Sequence, residues 1–204
     1  MKEGIKYIVG IDEVGRGPLA GPLAVGAFLA PTDFDLNVFA EARDSKKMTA
    51  QKREECFKLI KAQFGQIPGA ELRFTVSFIS PQRIDKVGLT KSTRTAINNC
   101  LRKFKLNPEE CLVLLDGGLK APKKYLNQKT IIKGDDKQKI ISLASIVAKV
   151  TRDRRMTRIS KKHPRYNFHK HKGYGTREHR ALIKQFGTSP IHRLSFLKKI
   201  TASP

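Results

Sequence analysis

Four acids carry the chemistry of this chain. Asp12 and Glu13 follow the apolar segment Tyr7-Ile8-Val9, Asp116 closes the run Cys111-Leu112-Val113-Leu114-Leu115, and Asp135 follows Lys133-Gly134. Each ends an apolar stretch beside glycine. One acid in such a position is ordinarily a turn or cap residue, but four in equivalent positions suggest a common task. Clustered carboxylates are costly unless a cation neutralises them, and their hard oxygens suit Mg²⁺ or Mn²⁺. Three or four around one point support two-metal hydrolysis of a phosphodiester, in which one ion activates water and the other stabilises the leaving oxygen. Asp136 doubles the acid after Gly134 and is the alternative fourth ligand. Adjacent strand residues face opposite sides of a sheet. Asp12 and Glu13 can therefore share a pocket only if the chain bends, and Gly10 and Gly15 would allow that.

Beside the first two acids lies Gly15-Arg16-Gly17, a turn whose N–H groups and guanidinium suit an anion such as phosphate. The whole chain has the charge for such a partner. Across 204 residues, 41 Lys and Arg oppose 18 Asp and Glu, a formal net charge of +23. That excess repels itself unless a polyanion is near, which points to nucleic acid. The excess is uneven: from Lys149 to Arg180 twelve cations face only Asp153 and Glu178, so a duplex backbone is expected there. Lys46 and Lys47 are candidates for a phosphate clamp near the acids. Arg152 and Asp153 read as an internal salt bridge. His169, His171 and His179 read as phosphate neighbours or packing residues, since no zinc spacing accompanies them.

The elements that must position these groups follow from periodicity. Strands are expected at Tyr7-Ile8-Val9, over 23–29, over 71–79, over 111–115 ending at Asp116, and over 130–132. Helices are expected over 49–64 with Thr49 as N-cap, over 90–104, and from about 138 to 161, where His163-Pro164 stops the chain. In that long helix Ile140, Leu143, Val147 and Val150 recur on a core face, and Arg154, Arg158 and Lys161 continue as a cationic stripe. Acids at the carboxyl ends of neighbouring strands are what an α/β sheet assembles well. The expected fold is α/β, a mixed five-stranded sheet flanked by helices, with a basic helical C-terminal extension. The division is 1–160 for the catalytic part and 161–204 for the extension packed on it.

Gly10-Ile11-Asp12-Glu13-Val14-Gly15-Arg16-Gly17-Pro18 resembles the opening motif of ribonuclease HII, the type 2 ribonuclease H. The likeness continues in family order through Asp44-Ser45-Lys46-Lys47, Leu115-Asp116-Gly117, Lys133-Gly134-Asp135, the run 144–153, His171-Lys172-Gly173-Tyr174-Gly175-Thr176, and His192-Arg193-Leu194-Ser195-Phe196. The resemblance implies a ribonuclease H-like fold, hydrolysis of the RNA strand in RNA/DNA hybrids, and cutting on the 5′ side of a single ribonucleotide embedded in duplex DNA. It places the family's four metal-binding acids on Asp12, Glu13, Asp116 and Asp135, its Gly-Arg-Gly motif on residues 15–17, and its junction-sensing tyrosine on Tyr174. Amides of Gly15 and Gly17 would then contact a 2′-hydroxyl, the group that separates RNA from DNA, while Arg16 fixes the adjoining phosphate. Tyr174 would lay its ring against the next, deoxyribose sugar.

The alternative reading is a non-catalytic basic nucleic-acid-binding protein whose acids merely cap strands. Cys56, Cys100 and Cys111 form no metal or disulfide pattern and read as bystander thiols in a reducing compartment. The longest apolar stretch, 19–31, is broken by Gly21-Pro22 and too short to span a bilayer. A monomer in the cytoplasm, without membrane contact, is the expected setting.

Overall fold

The structure is a computed structural model that describes residues 4–40, 42, 48–63 and 71–201. Its sheet holds β1 (Tyr7–Val14), β2 (Leu23–Pro31), β3 (Arg73–Ile79), β4 (Cys111–Asp116) and β5 (Gln128–Ile131), in the spatial order β3-β2-β1-β4-β5. β1 pairs antiparallel with β2 and β2 with β3, whereas β1 pairs with β4, and β4 with β5, in parallel. The carboxyl ends of β1 and β4 therefore lie side by side, which is where an α/β sheet gathers ligands. The α/β fold class and the mixed five-stranded sheet are as expected.

Helices cover both faces. On one side α2 (Pro81–Val87) and α3 (Leu89–Phe104) bury Ile84, Ile97 and Leu101 against Val9, Ile11, Val25 and Leu115. On the other, α1 (Ala50–Gln63) and the long α5 (Lys139–Lys162) bury Phe57, Ile60, Leu143 and Val147 with Phe28 and Leu114. Thr49 caps α1 by accepting the Lys52 N–H, as expected. The short α2, set off by Ser80 as N-cap, has no counterpart in the sequence reading.

α5 lies unusually close to the sheet because two strand positions carry no side chain. A Cβ on Gly10 would stand 2.2 Å from the Ile140 carbonyl oxygen, and one on Gly26 would stand 2.4 Å from that of Ala144. Gly10 thus admits the helix, and β1 stays paired with β2 through Asp12 and Glu13.

After α5 come α6 (Phe168–His171), α7 (Arg177–Phe186) and α8 (Leu194–Thr201), with a short α4 (Gly134–Lys137) earlier, between β5 and α5. The last segments weave into the start of the chain. Leu19 N–H donates to the Gly173 carbonyl, Gly21 N–H to Ile191, and Arg193 N–H to Leu19, while Ala20 and His192 form a β-bridge. No helix among the described residues is long and apolar enough to cross a membrane.

Candidate active site

Three of the four acids meet. Asp12 on β1, Asp116 at the end of β4 and Asp135 in the first turn of α4 each bring a carboxylate oxygen within 4.8 Å of the others. The strands deliver the first two. The third arrives because Lys133 adopts a left-handed conformation that turns the chain into α4, where Gly134 N–H donates to Asp116 Oδ1 at 2.6 Å. Asp135 is buried beside the other two acids, whereas Asp136 is exposed.

Glu13 is outside that triad but lines the same cavity, together with Gly15, Arg16, Gly17, Ser145, Lys149 and Tyr174. Its Oε1 takes Arg16 Nη1 at 3.2 Å, and its Oε2 is buried without a hydrogen-bond partner. Burial raises the Glu13 carboxyl above its ordinary value, and Arg16 works against that rise. Asp12 is perturbed further. Burial, reinforced by Glu13 and Asp116, pushes it up to about 8, although Ser145 on α5 and the Glu13 N–H hydrogen-bond to it. Three converging carboxylates, an orphaned Glu13 oxygen in the cavity beside them and a carboxyl that resists ionising fit a divalent cation, whose charge would remove the penalty.

The turn beside the acids is held from behind by two fully buried guanidinium groups. Arg193 donates through Nη2 to the Gly15 and Gly21 carbonyls and through Nη1 to Arg16. Arg152 donates to the carbonyls of Pro22 and Lys172 and fills the place of a Gly15 side chain: a Cβ there would lie 2.3 Å from its Nε. Gly15 also has φ of +87°, so glycine is required twice over. The Cβ side of Gly17 is open. Tyr174, exposed at the cavity edge, has the Arg152 guanidinium 5.9 Å from its ring centroid.

Comparison with known proteins agrees with this geometry. The family model for ribonuclease HII matches residues 9–199. A ribonuclease HII of Caldicellulosiruptor saccharolyticus is 43% identical over 201 residues, spanning 98% of this chain and 91% of that one. The crystal structure of ribonuclease H2 from Pyrococcus horikoshii superposes with a TM-score of 0.68 at 25% identity, covering 95% and 96% of the two chains. The ribonuclease HII of Archaeoglobus fulgidus, solved with PCNA, shares the fold with a TM-score of 0.73 at 23% identity, covering 96% and 95%.

The chain belongs to the ribonuclease HII family.

That family comprises metal-dependent endonucleases acting on nucleic acid, and the buried acids suit its chemistry. Lys46 and Lys47 lie outside the described residues. Arg152 and Asp153 are not an ion pair: consecutive helix residues diverge, so Arg152 is buried behind the turn while Asp153 pairs with Lys149 at 3.0 Å, one helical turn away. His171 and His179 are buried packing residues, stacked with ring centroids 4.2 Å apart, and His169 meets the Ser160 hydroxyl. Ser145, Lys149 and Arg53 line the cavity without having been singled out. Their signal was available for the first two, since positions 145 and 149 share one face of α5. Arg193 was hidden because its partners are main-chain carbonyls far away in sequence.

Proposed function

We propose that this enzyme hydrolyses the RNA strand of RNA/DNA hybrids and cuts on the 5′ side of single ribonucleotides in duplex DNA, leaving 5′-phosphate ends. The observation that carries the reading is one cavity lined at once by the acids Asp12, Glu13 and Asp116, by the Gly15-Arg16-Gly17 turn and by Tyr174. Asp12, Glu13, Asp116 and Asp135 would hold two divalent cations, Mn²⁺ or Mg²⁺. When bound, such ions supply an activated water and neutralise charge on the leaving oxygen.

The chain itself selects and orients the substrate. Ser145 and the Glu13 N–H fix the Asp12 carboxylate from two sides. N–H groups of Gly15 and Gly17 meet the ribose 2′-hydroxyl, and Arg16, already tethered to Glu13, meets the adjoining phosphate. Tyr174 lays its exposed ring on the following sugar, where a deoxyribose offers an apolar face. The duplex then runs over the exposed cations of α5 and the segment after it, among them Arg154, Arg158 and Lys161. Lys46 and Lys47 are assigned to a phosphate contact on the basis of their sequence alone. In this reading 1–160 performs the chemistry, 161–204 braces it and grips the duplex, and the enzyme works as a monomer in the cytoplasm.

The test is a set of three 5′-labelled duplexes: one all-DNA, one with a single ribonucleotide, and one with a continuous RNA strand. The proposal expects cutting of the second and third only, on the 5′ side of the ribonucleotide in the second. Cutting of the all-DNA duplex, or binding of all three with no cutting, would refute it.

A further inference from the structure

An enzyme that reads a ribose with one loop and the neighbouring sugar with another must hold the two loops at a fixed spacing. The inference below rests on the roles proposed above for Gly15–Gly17 and Tyr174. The two loops touch directly, since Gly173 offers its carbonyl to Leu19 N–H at 2.8 Å and a Cβ on Gly173 would lie 2.2 Å from the Ala20 carbonyl oxygen. Arg152 adds a second link, donating to the Pro22 carbonyl on one side and the Lys172 carbonyl on the other. Residues 191–193 cross beside both and add further points.

From that crossing, Arg193 and His192 reach different loops. Arg193 is fully buried and makes all its side-chain hydrogen bonds to main-chain carbonyls: Gly15 at 2.6 Å, Arg16 at 2.8 Å, and Gly21 at 3.0 and 3.1 Å. A buried cation paired only with neutral carbonyls is an expensive way to gain stability. Its rigid planar fork is, however, suited to fixing three carbonyls of one turn in a single plane.

His192 leads to the other loop. The Tyr174 carbonyl can only accept, so His179 Nδ1, 2.9 Å away, carries a proton. The neutral His179 ring then accepts at Nε2 from His192 Nε2–H at 3.1 Å, and His192 Nδ1 accepts the Ser189 N–H at 2.8 Å. The tautomers along this chain are therefore determined, and each link needs the one before it. Burial lowers both rings to about 4, so they stay neutral at physiological pH.

We propose that His192 is a positioning residue for junction specificity, fixing Tyr174 through His179, and that Arg193 is a positioning residue for ribose reading, fixing the Gly15–Gly21 turn.

The test uses the ratio of kcat/KM on the single-ribonucleotide duplex to that on the continuous hybrid, with Tyr174→Ala as reference. His192→Asn keeps an acceptor for Ser189 N–H but cannot reach His179. It should lower the ratio about tenfold, as removal of a group that orients a site residue commonly does. The double variant His192→Asn/Tyr174→Ala should be no worse in this ratio than Tyr174→Ala alone. Arg193→Lys cannot span three carbonyls and should depress both substrates alike, by about 10–100-fold, with the ratio kept. If His192→Asn does not fold, His179→Asn cuts the same link from the other end while still donating to Tyr174, and it should give the same fall. A ratio that drops in Tyr174→Ala but holds in both histidine variants would overturn the positioning role alone. A ratio unmoved by Tyr174→Ala would overturn the underlying reading of Tyr174 as well. Failure of both histidine variants to fold would assign the link to stability and overturn the proposal.

Discussion

Replacing Asp12 with asparagine keeps the shape of the side chain and removes its charge, so the substitution separates what the fold wants from what the chemistry wants. In the metal-free fold Asp12 holds its proton to about pH 8, against an ordinary value of 3.8. The folded state binds more protons than the unfolded chain across that window. Stability from this group is thus complete below pH 3.8 and lost as pH rises through 8. Asp12→Asn should raise the thermal midpoint of the metal-free protein at pH 8, give no such gain near pH 4, and cut turnover by roughly 10⁴-fold. Thermal scans and single-turnover rates read the two effects. Metal must displace the same proton, so calorimetry in buffers of different ionisation enthalpy should record proton release on Mn²⁺ binding at pH 7. At this scale the gathering of Asp12, Asp116 and Asp135 was legible from one pattern, an apolar stretch ended by a carboxylate beside glycine. The role of Arg193 was not, because nothing local marks a guanidinium aimed at carbonyls far away in sequence.

Among the elements, the contact of α5 with the sheet sets the distance from Ser145 to Asp12. Gly10→Ala would drive a methyl group into the Ile140 carbonyl. We expect a loss of about 1–3 kcal/mol in urea unfolding, the usual cost of overpacking, together with reduced activity from a displaced Ser145. The histidine-bearing segments respond to acid instead. His179 and His192 fall to about 4 in the fold from an ordinary 6.5, so their contribution is present above pH 6.5 and lost as pH falls through 4. The thermal midpoint should decline across that window, and less steeply in His192→Asn. The strands and the long helix were readable because each has one strong period: alternation in β3, a continuous apolar run in β4, three-four spacing in α5. The short α2 and α6 and the main-chain weave of 191–193 with 19–21 were not, since no periodicity can develop in so few residues and pairing across some 170 positions leaves no local trace.

For the molecule as a whole, charge is the governing quantity. Exposed cations on the distal half of α5 and beyond should provide the sequence-independent part of duplex affinity through counterion release. Removing Arg158 and Lys161 together should weaken binding to any duplex and reduce the slope of log affinity against log salt by about two, measured by fluorescence anisotropy. An unchanged slope would place the duplex on another face. Composition announced this partner plainly, whereas which cations are spent internally, Arg152 and Arg193 above all, required the fold.

The gathered acids are proposed to hold divalent ions against a ribonucleotide phosphate. Single-turnover cleavage of a DNA duplex bearing one ribonucleotide, titrated with Mn²⁺, tests it most directly when Asp12→Asn and Asp135→Asn are run beside the unaltered enzyme. We predict a cut 5′ of the ribonucleotide that requires metal and vanishes in both variants while duplex binding persists. Cleavage without metal, or undiminished cleavage in either variant, would contradict the account.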